Sequence, residues 1–165
     1  MVAVLGSRKA TVTLPTDERI LITRELDAPR HLVYRAWTTP ELVKRWWSGH
    51  RGKMTVVEID LRVGGRWRYV MVANRGFEVA FHGEYREIVP DERIVHTEVF
   101  EQPGVPEEDG VLDVVTFTEV DGRTTLTLLV QAASREQRDA IMSSGMEAGM
   151  QEQMEALDRL ASSLR

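Results

Sequence analysis

Ser134–Leu164, SREQRDAIMSSGMEAGMQEQMEALDRLASSL, is the stretch whose reading decides the fold. It holds no proline. At about 100° per residue, Met142, Met146, Met150, Leu157, Leu160, Ala161 and Leu164 fall on one face. Glu147, Gln151, Glu155, Asp158 and Arg159 fall on the other. Ser134 with Gln137 three residues on is a capping-box start. The pattern predicts one continuous amphipathic helix, roughly 45 Å long at about 1.5 Å per residue. Gly145 and Gly149 sit inside it, each about 1 kcal/mol less favourable than alanine, and Gln153 lies four residues further along the same strip. A helix weakened on its buried face predicts that something approaches its backbone there. One candidate is a guest molecule with Gln153 as its polar anchor. The other is a bulky sheet side chain such as Trp67, with Gln153 bonded to a neighbouring backbone.

Working back from that helix, the chain reads as strands. ERILITREL over 18–26 is strand-like, and the stretch before it, residues 1–16, reads as a loose extension in which 11–14 alternates enough to add an edge strand. Asp27-Ala28-Pro29 then starts a short helix, with Asp27 as cap and proline in the first turn. Thr39-Pro40-Glu41 opens a second over 40–47. Leu32, Val33, Ala36 and Trp37 make the buried face of the first, and Leu42, Val43, Trp46 and Trp47 serve the second. Adjacent tryptophans point different ways from a helix, so one of Trp46 and Trp47 belongs to the core and the other to a cavity mouth or the surface. Strands follow over 54–61, 66–73, 77–89, 93–101, 111–120 and 123–132, joined by turn signals of which Asp121-Gly122 is the strongest. Hairpin connections imply an antiparallel sheet with helices on one face. The acidic loop 103–110 reads as the most mobile segment.

Composition narrows the function. With 165 residues the chain has the size of one domain, read as an extension over 1–16 and a domain over 17–165. A net charge of −5 argues against nucleic acid or an anionic membrane as main partner. No cysteine is present, which excludes thiol chemistry and fits a cytoplasmic setting. No apolar run approaches the 18 or so residues that span a bilayer, and 1–6 is too short for a signal-peptide core.

The candidate chemistry is sparse. His82 and Glu84 are two apart on a strand, hence on one face, and His96 with Glu98 repeats the spacing. Either pair could serve as a general acid or base, or be a solvated pair on an outer face. Val79, Phe81, Gly83 and Tyr85 form the more apolar parity of their strand, whereas the two parities over 94–100 do not separate. Isolated His31 and His50 give no metal site. No G-x-S-x-G, no phosphate-binding glycine loop and no EF-hand spacing is present, Glu107–Asp109 included. No cofactor is expected.

Several blocks resemble a known family. They are RELDAP over 24–29, VYRAWT over 33–38, PELVKRWW over 40–47, DLRVGG over 60–65 with Trp67, Gly83 with Tyr85 and Ile88, and Gly145-Met146-Glu147 with Gly149 and DRLA over 158–161. Together they resemble single-domain bacterial relatives of the heat-shock-protein-90 ATPase activator, within the START-like, birch-pollen-allergen-like (SRPBCC) superfamily, over about 17–164. The resemblance implies an α+β helix-grip fold: a curved antiparallel sheet of six to seven strands around a long C-terminal helix, with two short helices after the first strand. It also implies a largely apolar cavity. Family members often carry tryptophan where this chain has Met150, which implies a differently shaped pocket. The chaperone-binding N-terminal domain of the eukaryotic activators is not covered.

The expected function is therefore binding of a small hydrophobic or aromatic molecule between the terminal helix and the sheet. Trp47, Trp67, Tyr69, Met71, Phe81, Phe117, Met142, Met146, Gly149, Met150 and Gln153 are the expected lining. The methionines at 142, 146, 150 and 154 form a drifting stripe suited to an adaptable pocket or to plain core. Two alternatives stand beside it. One is a cavity enzyme, a cyclase or hydrolase, that turns His82, Glu84, His96 or Glu98 inward. The other is a chaperone cofactor, stress-response partner or homodimer that uses an exposed Trp46 or Trp47.

Overall fold

Turn chemistry sets the order of the sheet. The computed structural model describes residues 9–102 and 110–165. The strands are β1 (Thr11–Thr13), β2 (Arg19–Leu26), β3 (Gly52–Ile59), β4 (Arg66–Ala73), β5 (Glu78–Val89), β6 (Arg93–Phe100), β7 (Val111–Val120) and β8 (Arg123–Gln131). They form one eight-stranded sheet in the order β1-β2-β8-β7-β6-β5-β4-β3, one or two strands more than the family resemblance implied. Every neighbouring pair is antiparallel. The β7–β8 hairpin turns on Asp121 and Gly122, both at positive φ (54° and 75°), the backbone that matches a hairpin to the strand twist. The extra strand is β1, which pairs with β2 at the sheet edge. The acidic loop and most of the N-terminal extension fall at 103–109 and 1–8, outside the described residues.

Between β2 and β3 lie α1 (Arg30–Thr38) and α2 (Pro40–Trp46). Pro40 fills the first position of α2 as predicted. Asp27 does not cap α1: the cap position is Pro29, with no side-chain bond. The Asp27 backbone N–H instead donates to Asp158 Oδ1 at 2.8 Å, tying the end of β2 to the terminal helix. Trp46 is the core tryptophan, 2 % exposed, with its indole N–H donating to the Ala36 carbonyl at 2.9 Å.

The predicted single helix is two, α3 (Arg135–Ser143) and α4 (Met146–Ser163). The start is as expected: Ser134 Oγ accepts from the Gln137 N–H, and Gln137 Oε1 accepts in return from the Ala133 N–H. The break comes at Ser143-Ser144-Gly145. Both serine hydroxyls donate back to carbonyls of the preceding turn, Asp139 O and Ile141 O, a competition that weakens helix continuation. Gly145 then takes φ +82° and becomes the cap of α4. Ile141, Met142 and Met146 on either side of the break all stay partly buried against the core, so apolar spacing alone hides it. Met150, Met154, Leu157, Leu160 and Ala161 are buried on α4, each leucine worth about 1.5–3 kcal/mol of burial.

α4 packs on β2, α1, α2 and α3. The covered face of the sheet carries Ile20, Ile22, Leu126, Phe117, Val115, Ile94, Tyr85, Trp67 and Tyr69 in one core with Met150, Met154 and Leu157. Arg24 shares that parity. It is 5 % exposed and reaches the Met154 carbonyl at 3.1 Å and Asp158 Oδ2 at 3.4 Å, a buried clamp between β2 and α4.

Candidate functional site

The ladders fix which side each candidate faces. Trp67 stands opposite Gly83, Tyr69 opposite Phe81, Met71 opposite Val79 and Tyr85 opposite His96. His96 in turn lies opposite Asp113, and Val115 opposite Ile94. These residues share the inner, helix-covered face, so the apolar parity of β5 points inward. The two tryptophan-flanking partners on the other parity, His82 opposite Arg68 and Glu84 opposite Arg66, look outward.

The aromatic wall is built from neighbouring strands and one helix end. Trp67 lies 4.8 Å from Tyr69 between ring centres and 5.2 Å, edge-on, from the His96 ring. Trp47, just past α2, meets Tyr69 at 5.5 Å and Phe81 at 5.3 Å, both edge-on. Phe81 stacks on Phe100 at 5.0 Å. Trp67 is held by its indole N–H, which donates to the Thr97 carbonyl at 3.2 Å. That bond passes where a Cβ on Gly83 would stand, 2.6 Å from Trp67 Nε1 and 1.8 Å from Thr97 O. Gly83 is therefore a packing requirement of the wall.

A polar group interrupts it. His96 and Asp113 are 7 % and 4 % exposed, with Glu98 half-buried on the same parity of β6. Burial pushes the Asp113 carboxyl well up, reinforced by the charge of Glu98 and by a hydrogen bond with it. Burial pushes His96 down, against the smaller opposing effects of Glu98 and of the Thr97 carbonyl. The 3.9 Å approach of His96 Nδ1 to Asp113 Oδ2 is therefore not an ion pair: both directions of shift favour neutral forms. His96 Nδ1 lies 3.0 Å from the Thr97 carbonyl. A carbonyl only accepts, so Nδ1 carries the proton and Nε2 is the acceptor. Tyr69, in the same wall, is pushed well up by burial first, then by Tyr85 and Glu98. Among the described residues no group of three or more His, Cys, Asp or Glu side chains is placed to hold a metal.

The remaining candidates separate. Met142 and Met146 are half-buried at the helix break, and Met71 and Met150 are core. Phe117 is 1 % exposed beneath Tyr34 and Trp37 of α1, away from the aromatic wall. Gln153 Nε2 donates to the Trp47 carbonyl at 2.6 Å, so it fixes the helix end that carries that ring. The notch read from the two glycines is not on the inner face. Gly145 is exposed, and a Cβ added to it would meet nothing within 4 Å; a Cβ at Gly149 would meet Arg51 Nε at 3.4 Å. Trp46 is buried, so a tryptophan patch for a partner does not exist there. On the outer face, His82 Nδ1 and the Arg68 guanidinium both meet Glu101 at 2.8–3.0 Å. Arg68 is the main cause that holds the Glu101 carboxyl below the usual range. A groove of about 500 Å³, lined by Arg66, His82, Glu84, Thr97, Leu112 and Gln131 among others, lies on that outer face, not between helix and sheet.

Sequence reading missed Asp113. The available signal was its parity: Asp113, Val115 and Phe117 alternate on one face of β7, and the last two are plainly core.

Solved structures of similar shape include several bacterial proteins. One from Rhodobacter sphaeroides superposes with a TM-score of 0.85 at 24 % identity, over 94 % of this chain and 99 % of its own. Protein Ms6760 of Mycobacterium smegmatis gives 0.81 at 26 %, over 92 % and 96 %. Protein CV1439 of Chromobacterium violaceum gives 0.77 at 29 %, over 88 % and 98 %. No curated protein matches the sequence. No described helix is long and apolar enough to cross a membrane. The model of one family matches residues 27–162, from just before α1 to the last turn of α4, and the chain belongs to that family: Activator of Hsp90 ATPase homolog 1-like protein.

Proposed function

We propose that the inner face of the sheet binds a small hydrophobic or aromatic molecule against Trp47, Trp67, Tyr69 and Phe81. The observation that carries this reading is the trio His96, Glu98 and Asp113 set inside an aromatic wall whose rim, Trp47 and Phe81, is only half-buried. Apolar sites with a few convergent polar groups are the usual form of small-molecule sites. A stable core has no need of two carboxyls and an imidazole, each of which costs desolvation free energy. The half-buried methionines 142 and 146 supply adaptable surface at the helix break. A cytoplasmic setting is consistent with the cysteine-free composition.

The test is tryptophan fluorescence of the wild type and of Trp47→Phe against a panel of hydrophobic and aromatic compounds. Saturable quenching or blue shift that weakens in Trp47→Phe is expected. A flat response, or binding that disturbs only outer-face amides near His82 and Leu112 in an NMR titration, defeats the reading.

A second reading, acid–base catalysis on the same wall, is favoured by one observation: His96 and Glu98 face inward whereas His82 and Glu84 do not. A ligand found by the panel and returned unchanged after prolonged incubation counts against turnover.

A further inference from the structure

We infer that the molecule taken by this wall carries a protonated amine, seated between the Glu98–Asp113 carboxyls and the faces of Trp67 and Tyr69. The inference rests on the binding reading above and names its ligand class.

Four features converge. First, strand register sets two carboxyls, Glu98 and Asp113, side by side on the inner face, and no Lys or Arg nitrogen lies within 4.0 Å of either among the described residues. The inner-face guanidinium, Arg24, is engaged with Asp158 and the Met154 carbonyl across the core. Ionising a carboxyl there without a countercharge is costly, and a ligand cation offsets that cost. Second, His96 is 7 % exposed, its Nδ1 is spent on Thr97 O, and its Nε2 acceptor has no partner within hydrogen-bond distance among the described residues. Third, an ammonium offers three donors and no acceptor, which matches a site whose open positions are carboxylate oxygens and an imidazole lone pair. Fourth, Phe81, Trp47, Tyr69 and Trp67 form a chain of ring contacts that reaches the polar trio where Trp67 meets His96 at 5.2 Å, and aromatic faces attract cations within about 6 Å. A carboxylate ligand would meet repulsion at the same place. A neutral alcohol would satisfy His96 and leave the two carboxyls without a cationic partner. A metal ion is disfavoured because, among the described residues, no three or more His, Cys, Asp or Glu side chains are placed to hold one.

The experiment uses matched sets that share one apolar body: tryptamine, 3-ethylindole and indole-3-propionate, then 4-phenylbutylamine, butylbenzene and 4-phenylbutyrate. Affinities are measured at pH 7 by calorimetry and NMR titration on the wild type, Glu98→Gln, and Glu84→Gln as an outer-face control. The amines are expected to bind at least tenfold more tightly than their neutral and acidic counterparts. That preference disappears in Glu98→Gln and persists in Glu84→Gln. Equal or better binding of the neutral or acidic members to the wild type overturns the amine assignment while leaving the binding reading intact. An amine preference that survives Glu98→Gln in a folded variant also overturns it. No binding by any member up to millimolar concentration defeats both.

Discussion

Asparagine at position 113 has nearly the shape of a protonated aspartic acid and no ionisation, which makes Asp113→Asn a direct probe of the buried trio. The folded protein keeps a proton on Asp113 that the unfolded chain releases above its ordinary value of 3.8, because burial and then Glu98 push the carboxyl well up. The folded state therefore binds more protons than the unfolded one over that interval. The contribution is fully present below about pH 3.8 and is lost as pH rises, by about 1.4 kcal/mol per pH unit, until the folded carboxyl itself ionises. Asp113→Asn lacks this loss. The titratable groups that face Asp113 are Glu98 and His96 of β6, with the Tyr69 phenol of β4 and the Tyr85 phenol of β5 pushed too high to titrate in the range. His96, depressed by burial, destabilises the fold as pH falls below 6.5 in both proteins and cancels in their difference. Urea unfolding of wild type and variant at half-unit steps from pH 4.5 to 8.5 gives that difference. The advantage of Asp113→Asn should grow with pH along the stated slope and then level off where wild-type Asp113 ionises. A difference that stays flat across the range, or a variant that loses ground as pH rises, refutes the claim that Asp113 is folded in its neutral form.

Gly83→Ala places a methyl against Thr97 O and Trp67 Nε1; loss of the indole bond plus a forced strand shift should cost about 2–4 kcal/mol and red-shift tryptophan emission, and a loss under 0.5 kcal/mol in urea melts would contradict the wall geometry. Gly145→Ala meets no atom within 4 Å but must hold φ +82°, so it should lower stability by about 1 kcal/mol; a stabilised variant would mean that α3 and α4 fuse in solution. Asp158→Ala, next to the 5 %-exposed Arg24 and the Asp27 N–H, should cost about 2–4 kcal/mol, whereas Glu155→Ala, in an exposed pair with Arg159, should change stability by less than about 0.5 kcal/mol. Equal effects in chemical denaturation would remove the case for a buried clamp.

Much of the fold was present in the residues themselves. Asp121-Gly122 demanded a hairpin, Thr39-Pro40 a helix start, and the alternation of Trp67, Tyr69 and Met71 a strand with one buried face, because turn conformations, proline's fixed φ and the two-residue strand period are local properties. The inward parity of β5 was legible for the same reason. The site was less so. His96-x-Glu98 has the same local pattern as His82-x-Glu84, and only the register of β6 against β5 and β7, bulged after Tyr85, turns one pair inward and the other out. The helix break at Gly145 escaped because a left-handed residue can restart a helix without disturbing the apolar stripe. Asp113 escaped because its role comes from Glu98 and His96 across the ladder. Sequence by itself determined elements, turns and the family; which face each polar group meets was decided by strand register, a sum of long-range pairings that no single stretch contains.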